Sequence, residues 1–265
     1  MLAAVLFLSL FAQEPKNIPH EITWKGHFKQ GGLVELHVPK DTEIKLDGEE
    51  IDSVGPGHFL LAFSRDAPAE VKIRIKYPDG VKEKHKLKIE PQNYQVQYIN
   101  GVDNAINSPS KTQLDAIQKE VFQLASARHM GDHPCPPEFH FTRPAPGQVS
   151  GLFGSSRVYN GTQGKPHSGT DFRGAEGDPA YAPENGKVVY LDDMVLTGKT
   201  MAIDHGCGVV STFLHLSAAD KQVGDIVKKG EIVARIGHTG IATGPHLHWS
   251  LNLKSTRLDP LLVLK

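Results

Sequence analysis

Two histidines separated by a single residue, in Gly244-Pro245-His246-Leu247-His248-Trp249, are the clearest chemical signal in this sequence. On a β-strand successive side chains alternate faces, so His246 and His248 project together while Leu247 and Trp249 point into a core. Paired imidazoles on a packed strand are how a metal site is built, because neutral imidazole is a good zinc ligand and the strand holds its direction. Upstream, His167-Ser168-Gly169-Thr170-Asp171 places a histidine and a carboxylate four residues apart on one face of an extended segment. His215, ending the alternating run Ser211-Thr212-Phe213-Leu214-His215, is a third candidate position. A structural zinc usually takes four protein ligands, whereas a catalytic one takes three and leaves a position for water.

Strands have to hold these side chains. After Pro144-Ala145-Pro146-Gly147 the sequence becomes rich in glycine and in alternating apolar runs. It predicts strands over 186–191, 200–204, 209–214, 232–236 and 246–251, with turns at Asn185-Gly186, Thr197-Gly198-Lys199 and Lys229-Gly230. Antiparallel β-structure with little helix follows, its sheet forming the floor of a groove that could accept an extended peptide. The run Val223 to Ile232 resembles a hairpin of biotinyl and lipoyl carrier domains, but no Met-Lys-Met is present, so it reads as scaffold.

Taken in order, His167-x-x-x-Asp171, then His215-Leu216-Ser217, then His246-Leu247-His248 resemble the lysostaphin-type (LytM-like) zinc metallopeptidases. The resemblance runs from about Phe141 to the C-terminus and includes Phe153-Gly154, Arg157, Asn160-Gly161 and Thr239 through His248. It implies that His167, Asp171 and His248 bind one Zn2+ per chain and that His215 and His246 are the paired histidines acting beside the metal. Arg157 and Asn160 would line or brace the groove. The family cuts peptide bonds in bacterial cell walls, and this motif set resembles that of Gram-negative envelope D,D-endopeptidases. The implied function is therefore hydrolysis of peptide crosslinks between peptidoglycan stem peptides, with D,D-carboxypeptidase or oligoglycine endopeptidase activity as alternatives. Some relatives are non-catalytic activators of amidases that have lost zinc ligands; here every expected ligand is present. His205 and His238 resemble structural positions of the family's scaffold.

The rest of the chain constrains the setting. Its 265 residues allow more than one domain, and 29 basic against 30 acidic side chains give a formal charge of −1, with no reason to expect nucleic acid or an anionic membrane surface. Met1 to Ala12 is apolar, too short to span a bilayer and similar to the apolar part of a secretory signal, which predicts export to the periplasm or cell envelope. No integral membrane span is expected in the mature chain, and a monomer is expected. Cys135 and Cys207 belong to no Cys-x-x-Cys pair; spacing leaves a disulfide and two thiols equally open.

The expected fold class is mainly β. Residues 14–91 contain five alternating runs, at 33–38, 42–46, 59–63, 71–76 and 85–89, with turns at Asp47-Gly48 and Tyr77-Pro78-Asp79-Gly80, and read as an immunoglobulin-like β-sandwich. Histidines 20, 27, 37, 58 and 85 share no spacing there, and the sequence assigns them no metal. Residues 92–140 read as a helical linker. One amphipathic helix spans Lys111 to Ala127, capped by Ser110 or Ser108, with Leu114, Ile117, Val121, Leu124 and Ala125 as an apolar stripe to pack on a neighbouring layer or to bind a partner. Asp132, His133 or Cys135, in the stiff Gly131 to Pro137 stretch, could reach the open metal position and hold the enzyme latent. Residues 141–265 form the metallopeptidase domain.

Overall fold

The computed structural model describes residues 20–100, 110–129 and 131–264; the apolar start of the chain and Ser108 lie outside them. The fold is mainly β, with one α-helix among the described residues.

Two small sheets form the N-terminal region. Strands β1 (Thr23–Gly26), β2 (Leu33–His37) and β5 (His58–Ala62) make the first. Strands β3 (Glu43–Leu46), β4 (Glu49–Ile51), β6 (Glu70–Lys76) and β7 (Lys82–Lys88) make the second, in the order β4-β3-β6-β7. Period-two patterning decides their faces: in β6, Val71, Ile73 and Ile75 are buried while Lys72 and Arg74 face water. With Val34, Leu36, Phe59 and Leu61 of the first sheet they form one hydrophobic core. Asp47 and Gly48, both at positive φ, close the β3–β4 hairpin, the backbone state that a two-residue loop needs and that Asp-Gly tolerates.

The segment between the two β-rich regions does more than link them. The sequence showed only a helix here, but Val96–Ile99 forms strand β8, which pairs in parallel with β10 (Ser156–Tyr159), itself paired with β11 (Thr162–Gln163). Helix α1 runs from Lys111 to His129. Its first turn is a capping box: Gln113 N donates to Ser110 Oγ and Ser110 N donates to the Gln113 side chain. Its packing is narrower than its apolar stripe suggests. Leu124 and Ala127 are buried against Tyr190, Met194, Ala202 and Val210, whereas Leu114 and Val121 are exposed. A disulfide joins Cys135 to Cys207, with Cα atoms 5.0 Å apart.

The C-terminal region is built on an eight-stranded sheet. Its order is β18 (Ile226–Val227), β14 (Gly186–Met194), β15 (Gly198–Asp204), β16 (Val209–Leu216), β20 (His246–Leu253), β12 (Thr170–Arg173) and β9 (Val149–Gly151), with β21 (Thr256–Leu258) also paired to β20. A second small sheet contains β13 (Pro179–Tyr181), β19 (Ile232–Arg235) and β17 (Ala218–Ala219), and a 3-10 turn at Pro260–Val263 ends the described chain. Phe172, Phe213, Leu247, Trp249 and Leu251 fill the core beneath the main sheet. That core also contains Leu33 and Leu60, so the first N-terminal sheet packs onto the C-terminal region instead of hanging from it.

Candidate metal centre and groove

Strand β20 lies between β12 and β16, and this placement assembles the site. Antiparallel register sets Asp171 opposite His248, and Leu214 opposite His248 on the other side. Leu247 and Trp249 are fully buried, so the alternation read from the sequence holds and His246 and His248 share the opposite face.

His167, on the approach to β12, completes a triangle of donor atoms. Its Nε2 is 2.9 Å from His248 Nδ1 and 3.0 Å from Asp171 Oδ1, and the last two atoms are 2.8 Å apart. All three residues are buried. His167 Nδ1 lies 2.9 Å from the Leu152 carbonyl, which can only accept, so that nitrogen carries the proton and Nε2 offers a lone pair to the triangle. Two imidazole nitrogens and one carboxylate oxygen converging at these separations suit a zinc ion with bonds of about 2.0–2.2 Å. They fit the three-ligand form better than a closed four-ligand one, and His246 Nε2 stands off at 3.8 Å from Asp171 Oδ1.

The surroundings keep Asp171 ionised and His248 neutral, as a metal site requires. Burial by itself would raise the Asp171 pKa, but its close contacts with the His167 and His248 rings outweigh it and keep the carboxyl well below its ordinary range. Burial also lowers His248 to about 3, so it stays neutral and able to ligate. Arg157 Nη2 binds the other carboxylate oxygen, Asp171 Oδ2, at 2.9 Å, leaving Oδ1 turned to the triangle. Glycine supplies the remaining room. A Cβ on Gly169 would overlap the Trp249 carbonyl and crowd His248 Nε2, and one on Gly151 would overlap Asp171 Oδ2.

His215 reaches the site by a backbone irregularity. Between the pairs Lys199↔Leu216 and Met201↔Phe213, β16 contributes two residues where β15 contributes one, a β-bulge. Simple alternation from Phe213 would send His215 back to the core face; its φ of 63° re-aims the ring. The ring centre then lies 4.9 Å from that of His246 and 6.4 Å from that of His248. Such a conformation costs a non-glycine residue about 1–3 kcal/mol and persists only where the surroundings enforce it. Here His215 N donates to the Thr197 carbonyl, and Nδ1 donates to that of Thr239. Burial lowers His215 to about 4, so it too is neutral.

Asp171, Arg157 and His246 border a cavity of about 680 Å³ that is also lined by Gln97, Tyr98, Ile99 and Arg173, among others. One wall is β8, which the sequence placed in a linker, and Arg157 Nε contacts Gln97 there at 3.4 Å. Asn160 does not line this cavity. It sits with Gly161 in the β10–β11 turn, both at positive φ. Asp132, His133 and Cys135 are also elsewhere: Asp132 pairs with Lys187, His133 N bonds Asp204 and Cys135 is bridged to Cys207. His205 is fully buried between the Asn185 carbonyl and Ser211 Oγ, and His238 is exposed beside Glu176.

Comparison with known proteins agrees with this geometry. Residues 165–260 match peptidase family M23. An uncharacterized metalloprotease of Haemophilus influenzae is 38% identical over 102 residues, covering 37% of this chain and 21% of that protein. Peptidoglycan DD-endopeptidase ShyA of Vibrio cholerae is 35% identical over 105 residues, covering 39% of this chain and 24% of that protein. These matches thus span about a quarter or less of the relatives' length. A Pseudomonas aeruginosa crystal structure bearing the M23 peptidase designation superposes with a TM-score of 0.66 at 25% identity, over 89% of this chain and 94% of its own. All three donors of the triangle fall inside the matched residues, and the chain carries a peptidase family M23 domain.

Proposed function

We propose that this chain is an exported zinc metallopeptidase that hydrolyses the D,D-peptide crosslinks of bacterial peptidoglycan. The observation that carries the reading is the buried His167, Asp171 and His248 triangle, whose Asp171 borders an open groove together with His246. Relatives named as peptidoglycan DD-endopeptidases support the substrate class. The organisation proposed is a β-sandwich over 14–91, a linker over 92–140 and the peptidase domain over 141–265, acting as a monomer. A disulfide between Cys135 and Cys207 fits an oxidising compartment such as the periplasm. No helix of the described residues is long and apolar enough to cross a membrane.

His167, Asp171 and His248 would hold the zinc, which when bound supplies a Lewis acid for the scissile carbonyl and for the attacking water. Both auxiliary histidines donate Nδ1–H to a backbone carbonyl, His215 to Thr239 and His246 to Gly244, so each turns a bare Nε2 to its surroundings. That tautomer makes them proton acceptors. His246 borders the groove, and we assign it the water's proton and its later delivery to the leaving amine. His215, which burial keeps neutral, accepts a hydrogen bond and orients the attacking water. Donating to a developing oxyanion from Nε2 would require the charged form that burial disfavours. Arg157 fixes the Asp171 carboxylate.

The test is mass spectrometry of purified crosslinked peptidoglycan after incubation with the zinc-loaded protein and with its His248→Ala form. Conversion of crosslinked dimers to monomers by the intact protein alone is expected. Unchanged dimers with both forms, in protein that contains zinc, would overturn the D,D-endopeptidase assignment.

A further inference from the structure

The N-terminal region holds a second convergence of metal-type donors, and it stands independently of the peptidase reading. In β2, Val34 and Leu36 point into the N-terminal core, so Leu33, Glu35 and His37 point the other way. Register with β5 sets His37 opposite His58 and Glu35 opposite Leu60. This second face is not in water. Leu33 and Leu60 pack in the same core as Phe139 and Phe141, so it forms the seam against the C-terminal region.

Glu35 and His58 are therefore buried, with only 6% and 7% of their surfaces exposed. Burying a carboxylate is costly unless it is fully partnered. Glu35 Oε2 and His58 Nε2 lie 3.4 Å apart, yet neither atom has a hydrogen-bond partner among the described residues. Lys25 stands opposite Glu35 on β1 and pairs with Glu138. The His37 ring stacks on that of His58, centres 4.2 Å apart and planes 15° apart. One donor atom from each of Glu35, His37 and His58 lies within 4.8 Å of the other two. A cation satisfies such a set where a hydrogen bond does not, since each donor need only aim a lone pair at a common point.

We propose that Glu35, His37 and His58 bind a second divalent transition-metal ion. Two imidazoles and a carboxylate suit zinc, the class of ion that the triangle of the M23 domain also suits. A cavity of about 310 Å³, lined by Lys25, Phe139 and Phe141 among others, borders the cluster on its Glu35 side. The ion ties β2 to β5 at the seam; it is a structural site that closes a buried carboxylate.

The test is zinc content by inductively coupled plasma mass spectrometry on the full chain, stripped with chelator, reloaded with zinc and dialysed. The wild type is expected to hold two zinc ions. The Asp171→Ala/His248→Ala form should hold one, and adding Glu35→Gln and His58→Asn to it should leave none. The Asp171→Ala/His248→Ala form leaves the seam untouched, so the absence of zinc from it overturns the proposal even where the N-terminal substitutions impair folding. If the wild type holds one ion and that form holds none, the proposal is overturned while the triangle of the M23 domain stands. Retention of the second ion after Glu35→Gln and His58→Asn, in protein with native circular dichroism, would overturn it as well, by placing that ion elsewhere.

Discussion

The two clusters of histidine and carboxylate differ in what stands behind their donors. At the triangle of His167, Asp171 and His248 each donor residue is also held from outside: His167 by the Leu152 carbonyl, Asp171 by Arg157, and His248 by the hydroxyl of Ser168 at 3.4 Å. At Glu35 and His58, on the seam, two buried polar atoms face each other without a hydrogen bond. The first arrangement is preorganised, whereas the second has donors but little support. A site of the first kind holds its ligands' direction and protonation whether or not the ion is present, as chemistry on a changing substrate demands. A site of the second kind suffices for an ion that only holds strands together.

The largest effect should come from removing a member of the supported triangle. His248→Ala is expected to abolish crosslink cleavage and to remove the zinc bound there, read by product analysis and metal content on the same preparation. Activity surviving without that zinc would break the contrast, because the triangle would then not be the working centre.

Gly169→Ala tests the space behind the triangle without touching a donor. The new Cβ overlaps the Trp249 carbonyl, so the cost should be that of overpacking, about 1–3 kcal/mol of unfolding free energy, together with a loss of activity as His248 shifts. Denaturant unfolding and turnover on the same variant separate the two. Unchanged values in both would mean that the backbone there yields freely.

Arg157→Ala should lower metal affinity about 10–100-fold, the usual consequence of removing a group that orients a ligand. Competition with a chelator of known affinity reads it, and Arg157→Lys should recover only part, since a point charge does not reproduce the guanidinium's fixed geometry. If zinc affinity is unchanged and only KM rises, Arg157 serves the groove and not the carboxylate.

The smallest effect concerns His205, a buried histidine with both nitrogens partnered and no role at either cluster. Burial lowers its pKa from 6.5 to about 4. The unfolded chain therefore takes up a proton as pH falls through 6.5, while the folded chain refuses it until about 4, so stability declines with acidification across that window. Between pH 7 and pH 5.5 the loss from this group is about 1 kcal/mol by linkage. The stability difference between the wild type and His205→Gln should narrow by that amount over the same range in urea unfolding. A gap independent of pH would mean that His205 is as easily charged in the fold as outside it.

Much of the M23 domain is legible in its residues alone. The alternation of His246, Leu247, His248 and Trp249 is a local property: one face must be apolar to be buried, and that requirement fixes where both imidazoles go. The same logic locates β6 and the Asp47-Gly48 hairpin, since patterning and turn chemistry act over a few residues. Non-local pairing is not legible in this way. Tyr94 to Ile99 alternates as a strand does, but nothing in it says that Val96–Ile99 pairs in parallel with β10; His215 faces the site only because β16 bulges against β15. The apolar stripe of α1 is visible along the chain, but how much of it is covered depends on a surface that only the fold supplies. Glu35 and His37 are two residues apart on one strand, and His58 joins them across a pairing 21 positions away in the chain. No spacing rule links His37 to His58, because the loop between paired strands can take any length. Residue type and period, both written along the chain, determine which side chains can ligate a metal and which strands carry them. Which donors meet, and which of them lack a partner, is decided by strand register and by the packing of one sheet against another.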